Sequence, residues 1–174
     1  APTPVGTAAP WSAEPLAAEA VPAVVAQPWL AADNHTDCPV LFPADPAALA
    51  AGAVLHDRYF GGGWGLAWDL PSGPGRWEPG GEYCNDCGRE AFGVAGAGLP
   101  ATGQEAIWAN RLSWSDGSGG GYGYEGVTAG EAGEPLLAYI RVTGADCLYN
   151  VWSYLGEDHL LALIGSLRFV ASAP

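Results

Sequence analysis

The chain reads as an α+β domain, mainly β: an antiparallel sheet of short strands with Gly-rich loops and disulfides, and one C-terminal helix. Three observations predict this. Gly (26) and Pro (15) are well above average usage, and eight Trp, seven Tyr and four Phe carry most of the core capacity, which favours short strands and turns over a helical bundle. Apolar residues alternate with period two in several segments after residue 33. Helical spacing appears over residues 157–169, where Leu160, Leu163, Ile164 and Leu167 fall on one face.

Residues 1–32 are expected to form an extended arm. Pro2, Pro4, Pro10, Pro15, Pro22 and Pro28 forbid a long helix and favour extended or polyproline backbone. The arm carries Trp11, Val21, Val24, Val25 and Trp29, more apolar material than a solvated linker holds, so it is expected to pack on its own domain or on a neighbour. Residues 33–174 are expected to form a disulfide-stapled, β-rich domain. Residues 46–51 allow one helical turn. Residues 53–60 and 64–70 flank Gly61-Gly62-Gly63 and read as a hairpin. In the second of these strands Trp64, Leu66, Trp68 and Leu70 share a face, opposite Gly65, Ala67 and Asp69. Pro71 ends it, since proline cannot donate to a ladder.

Residues 71–104, rich in Gly and Pro, read as a long loop pinned by crosslinks. Residues 105–115 alternate again, and Asp116-Gly-Ser-Gly-Gly-Gly reads as a turn into a strand over 122–127. Residues 136–142 and 147–155 form a hairpin joined at 143–146. In the helix over 157–169, Glu157 and Asp158 lie in the first turn and Arg168 in the last, each matching the macrodipole.

Composition bounds the setting. The chain starts at Ala1 in a Pro/Ala-rich stretch and has no Met, so residue 1 is expected to result from removal of a signal peptide. Four cysteines point to an oxidising compartment outside the cytoplasm. A net charge of −13, from 19 acids against six Arg, repels phosphate backbones and argues against nucleic acid as a partner. No apolar run approaches the roughly 18–20 residues of a spanning helix.

The chemistry-bearing constellations are few. Cys84-Asn-Asp-Cys87 lies in a Gly-rich stretch without the following helix that would activate a redox thiol. With His35 and Cys38 it supplies the residue types of a Cys₃His zinc site; the alternative is two disulfides among Cys38, Cys84, Cys87 and Cys147, and export favours the disulfides. Three connectivities are open. A direct Cys84–Cys87 bridge closes a tiny loop, whereas bridges from this pair to Cys38 and Cys147 would close larger ones. The sequence calls for no metal and no cofactor.

His35, His56 and His159 are far apart, and no Gly-x-Ser-x-Gly elbow is present, so no catalytic residue is assigned. His159, in the first turn of the C-terminal helix, reads as a surface residue. Glu78, Glu82 and Glu90 lie near Trp77 and Tyr83, and a secreted hydrolase would draw on such carboxylates. A carbohydrate-binding module would instead stack sugars on Trp77 and Tyr83, or on Trp64 and Trp68, although patterning favours burial of the Trp64/Trp68 face.

The stretch Cys147-Leu-Tyr-Asn-Val-Trp-Ser-Tyr-Leu-Gly-Glu-Asp-His-Leu-Leu-Ala-Leu-Ile-Gly-Ser-Leu-Arg-Phe-Val resembles the end of uncharacterised secreted proteins of high-GC bacteria, in which a last strand feeds a short helix. The resemblance implies an exported sheet-plus-helix domain and carries no functional residues. The reading that follows is an extracellular structural or interaction protein and not an enzyme. It would assemble with copies of itself, or bind another cell-surface component, through an arm able to add a strand to a sheet edge. A glycan is the alternative partner.

Overall fold

The computed structural model describes residues 6–31, 38–60, 63–70, 91–97, 110–124 and 135–171. Nine strands and three α-helices lie among them: α1 (Ala23–Leu30), β1 (Leu41–Pro43), α2 (Pro46–Leu49), β2 (Val54–Phe60), β3 (Gly63–Asp69), β4 (Phe92–Ala97), β5 (Asn110–Ser113), β6 (Gly119–Tyr124), β7 (Leu136–Arg141), β8 (Leu148–Ser153), α3 (Glu157–Ser166) and β9 (Leu167–Phe169). The fold is mainly β and antiparallel, with a C-terminal helix, as the residue pattern predicts.

Seven strands form one sheet in the order β2-β3-β4-β8-β7-β6-β5, and β1 pairs with β9 in a second, two-stranded sheet. The large sheet is two meanders, β2-β3-β4 and β5-β6-β7-β8, zipped together where β4 meets β8. Its register lays side chains in rows. Leu66, Val94, Val151 and Ala138 are successive cross-strand partners on one face; Ala67, Gly93, Trp152 and Leu137 are successive partners on the other.

The first face carries the main core. Leu66, Trp68, Phe92, Val94, Ile140, Tyr149 and Val151 pack there with Leu160, Leu163 and Ile164 of α3, with Leu41 and Phe42 of β1, and with Trp11 and Val21 of the N-terminal segment. Trp68 stacks on Phe92 with ring centroids 5.1 Å apart and tilts against Phe42 at 5.5 Å. The second face is buried as well: Ala67, Ala95, Leu137 and Trp152 form their own cluster there, each 3% exposed or less. Alternation along β3 predicts burial of the Leu66/Trp68 face, and that holds. Its small residues cover a second buried layer, in which Gly and Ala leave room for Trp152.

Several local expectations are corrected. Residues 92–97 read as loop because glycines interrupt them, yet they form β4 in the middle of the sheet. A Cβ at Gly93 would overlap the Trp152 indole and lie 2.7 Å from the Leu66 carbonyl oxygen, so the glycine marks close packing and not a turn. The glycines 119–121 are likewise strand, in β6; the turn is Ser115 to Ser118, with Gly117 at φ +87°. The arm is not extended throughout, since α1 spans Ala23–Leu30. Pro22 sits just ahead of its first turn, where its missing N–H costs the ladder nothing, whereas Pro28 lies inside α1 and removes the bond its N–H would make to the Val24 carbonyl. The C-terminal helix stops at Ser166, because Leu167 turns to extended backbone and pairs with Pro43. Arg168 therefore lies past the helix, and its guanidinium donates back to the Gly165 carbonyl at 3.3 Å.

Candidate functional site

Among the described residues, polar or aromatic groups come together at the seat of the N-terminal segment, at a Ser–His pair under α3 and in a groove beside α2, as well as at the His56–Asp69 and Tyr122–Glu157 contacts.

The N-terminal segment is held by the core contacts of Ala9, Trp11 and Val21, by a bond from the Ser115 N–H to the Thr7 carbonyl at 3.0 Å, and by two further anchor points. Trp11 is 4% exposed, with its ring edge-on to Trp114 at 4.8 Å, and its Nε1–H donates to an Asp116 carboxylate oxygen at 3.1 Å. Asp116 also accepts from the Ser118 N–H and the Ser118 hydroxyl, both at 2.9 Å, while Ser118 Oγ accepts from the Thr143 N–H at 2.9 Å. Burial raises the Asp116 carboxyl, but the hydrogen bonds from Ser118 and Trp11 outweigh it and hold the group below its ordinary value. The glycine-rich turn thus aims its carboxylate at the arm. The second point is main-chain: Leu16 N–H donates to the Phe169 carbonyl and its carbonyl accepts from the Ala171 N–H, both at 2.8 Å. This is one parallel bridge on the free side of β9.

The other arm residues divide. Val21 is 5% exposed and belongs to the main core. Trp29 donates its indole N–H to the Cys38 carbonyl at 3.1 Å. Val24 and Val25 lie on the helix α1 and not on a strand; only their backbone is described.

Cys38 is disulfide-bonded to Cys147 across 109 residues, and both are buried. The sequence left three connectivities open, and the bond between Cys38 and Cys147 selects among them. It also takes the Cys38 thiolate away from the Cys₃His alternative. Cys84 and Cys87 lie outside the described residues, as do His35, Trp77, Tyr83, Glu78, Glu82 and Glu90.

His159 is half-buried, where its position in the first turn of α3 predicted a surface residue. Its Nε2–H donates to the Leu49 carbonyl at 3.1 Å, and Nδ1 accepts from the Ser153 hydroxyl at 2.9 Å. The tautomer follows from the partners: a carbonyl only accepts, so Nε2 carries the proton. Ser153 Oγ accepts in turn from the Leu155 N–H at 2.9 Å, and the imidazole meets the Phe92 ring edge-on at 4.8 Å. A hydroxyl bonded to an imidazole has the residue types of a nucleophile and its base, but Ser153 is fully buried and out of reach of any substrate. A His–carboxylate contact, His56 Nε2 to Asp69 at 3.3 Å, lies on the opposite face of the sheet. The arrangement under α3 is a structural clamp between β8, α3 and the end of α2.

Burial holds the His159 imidazole below its ordinary value near 6.5, against the smaller upward pull of the Leu49 carbonyl. Protonation is then easier in the unfolded chain. The contribution is complete above about pH 6.5 and is lost as pH falls through the lower folded value. The melting temperature is therefore expected to drop between about pH 7 and pH 5, and His159→Gln to flatten that part of the profile. Equal slopes for the two proteins would show that the imidazole is not the titrating group.

The groove has a volume of about 430 Å³ and runs between Leu16 and Pro22 of the arm, Phe42 to Ala47 of the β1–α2 segment, and a floor of Leu55 and Trp68. Trp68 is 2% exposed, with one ring face on Phe92, so it closes the floor without offering an open stacking platform. Only the backbone of Trp64 is described. No family model, curated protein or solved structure matches this chain.

Proposed function

We propose that this chain is an exported, non-enzymatic structural or interaction protein whose copies assemble by exchanging N-terminal arms. The observation that carries the reading is the way residues 6–31 are attached. Trp11 at Trp114 and Asp116, the Thr7 carbonyl at the Ser115 N–H, a two-bond bridge beside β9 and the core burial of Val21 hold the segment, and all of these receptors belong to the body of the domain. The same contacts serve an arm arriving from a neighbour without any new interface, and an exchange repeated head to tail builds a filament. Export is supported by the buried Cys38–Cys147 bond, which suits an oxidising compartment. A non-enzymatic role is supported by the inaccessible Ser153 and by the separation of the two histidine sites onto opposite faces.

Light scattering on the purified full chain tests the proposal. The expected result is a set of masses above the 17.8 kDa of one chain, rising with concentration, and a shift toward the single chain for Trp11→Ala. A mass of one chain at every concentration would mean that the arm serves only to close its own domain, and would remove assembly from the reading.

A further inference from the structure

The groove beside α2 has walls that are fixed before any ligand arrives. Leu16 is held by its two main-chain bonds to the β9 segment. Trp68 is clamped between Phe92 and Phe42. The last carbonyl of α2, on Leu49, is gripped by His159, and the first turn is capped by Asp45, whose carboxylate accepts from the Ala48 N–H at 3.2 Å. Pro22 and Pro43 stiffen the rims further, since proline has one backbone dihedral already set. A pocket of this kind binds without first spending free energy on ordering itself.

Its chemistry is one-sided. The lining is aliphatic, aromatic and proline apart from one ionisable group, Asp45, at the exposed N-cap of α2. Among the described residues no cation lines it, and the chain as a whole carries −13. An anionic ligand would meet repulsion at the mouth and have no partner inside. A cationic head on an apolar body meets the reverse: the body covers Leu55 and Trp68, and the head reaches the carboxylate. The volume of about 430 Å³ lies in the small-molecule range.

We propose that this groove is a binding site for a small apolar amine, with the hydrocarbon on the Leu55/Trp68 floor and the ammonium at Asp45. The site is independent of arm exchange, since Leu16 and Pro22 form its outer wall whether the arm belongs to the same copy or to a neighbour; mass reports the one and ligand titration the other.

The test titrates the full chain with phenethylamine, phenethyl alcohol and hydrocinnamate, followed by calorimetry and by tryptophan fluorescence at low salt. The amine is expected to bind about fivefold more tightly than the alcohol, the span of one exposed charge pair, and hydrocinnamate more weakly than both. Asp45→Asn keeps a good N-cap while removing the charge, so it is expected to bring the amine down to the level of the alcohol. Ala47→Phe, placing a ring in the groove from the exposed side of α2, is expected to abolish binding of all three, and Ala20→Trp on the arm side serves the same purpose if that variant folds poorly. Amine binding that survives the filled groove would be attraction to the acidic surface and would overturn the site. Equal affinity for the three probes, or no response to any of them, would overturn it too.

Discussion

Replacing Cys38 and Cys147 together by alanine is expected to lower the unfolding free energy by roughly 4–5 kcal/mol, the chain-entropy value for a closed loop near the observed separation of 109 residues. The size comes from position. The bond joins the junction after the arm to the start of β8, so it encloses β1 to β7 and restricts most of the unfolded chain. It also sits where other contacts depend on it: the Cys38 carbonyl accepts from Trp29, and the Tyr149 hydroxyl donates to the neighbouring Pro39 carbonyl. Burial pushes that phenol well up, so it stays protonated and donating. Urea unfolding of the double variant beside the native chain measures the difference. An unchanged midpoint and slope would mean that the bond constrains nothing. Changing both cysteines avoids leaving one thiol free to pair with Cys84 or Cys87.

The second large effect is expected at the contact between Trp152 and Gly93. Trp152 is fully buried on the second face of the sheet and is the direct cross-strand partner of Gly93, with its indole over the bare Cα. Trp152→Ala is expected to cost about 3–5 kcal/mol through lost burial and the cavity left behind. Gly93→Ala is expected to cost about 1–3 kcal/mol by overpacking, because the new methyl meets the indole and the Leu66 carbonyl, neither of which has room to retreat. The pair should also be coupled. Once the indole is gone, the methyl at residue 93 keeps only its conflict with the Leu66 oxygen, so the double variant is less unstable than the sum of the two singles. Strict additivity in denaturant unfolding would show that the ring and the glycine do not share space.

That pair explains why β4 was hard to read. Phe92, Val94 and Gly96 face the main core, while Gly93, Ala95 and Ala97 face the second layer. A strand whose second face must lie under a tryptophan looks, residue by residue, like a Gly-rich connection. The information that turns 92–97 into a central strand sits in Trp152, some sixty positions away. In β3 the large residues alternate with small ones in sequence order, so that strand was legible from its own residues. The same contrast holds in the arm. Trp11 declared itself, from its type alone, as apolar material that has to pack. Val21, Val24 and Val25 suggested a strand added to a sheet edge, but Val21 is buried in the main core and the short helix α1 carries the other two, its entry preset by Pro22.

The candidate sites follow the same division. His159 shows in the sequence as a polar residue in the first turn of a helix, which ordinarily faces water. Its partners are Ser153, on the preceding strand, and the Leu49 carbonyl, 110 residues away, and only the docking of α2 against α3 brings that carbonyl within reach. Asp116 read as part of a glycine-rich hairpin turn; its role as acceptor for Trp11, 105 residues earlier, appears only when the arm is in place. The groove has no sequence signature at all. Leu16, Phe42, Leu55 and Trp68 lie in four different segments, and each alone reads as ordinary core.

The sequence by itself determined what depends on composition or on neighbours within a few positions: period-two strands and their turns, the helix over the C-terminal leucines, the net charge of −13, and cysteines able to form a disulfide. Tertiary structure alone decided which cysteines join, that glycines 93 and 119–121 are strand, that the arm lies partly in a helix and partly along β9, and that His159 turns inward. The physical reason is range. Periodicity is written in residues that share one face of one element, whereas a disulfide, a glycine under a tryptophan, or a histidine clamp is set by two groups that fold together from opposite ends of the chain and carry no mark of one another until they meet.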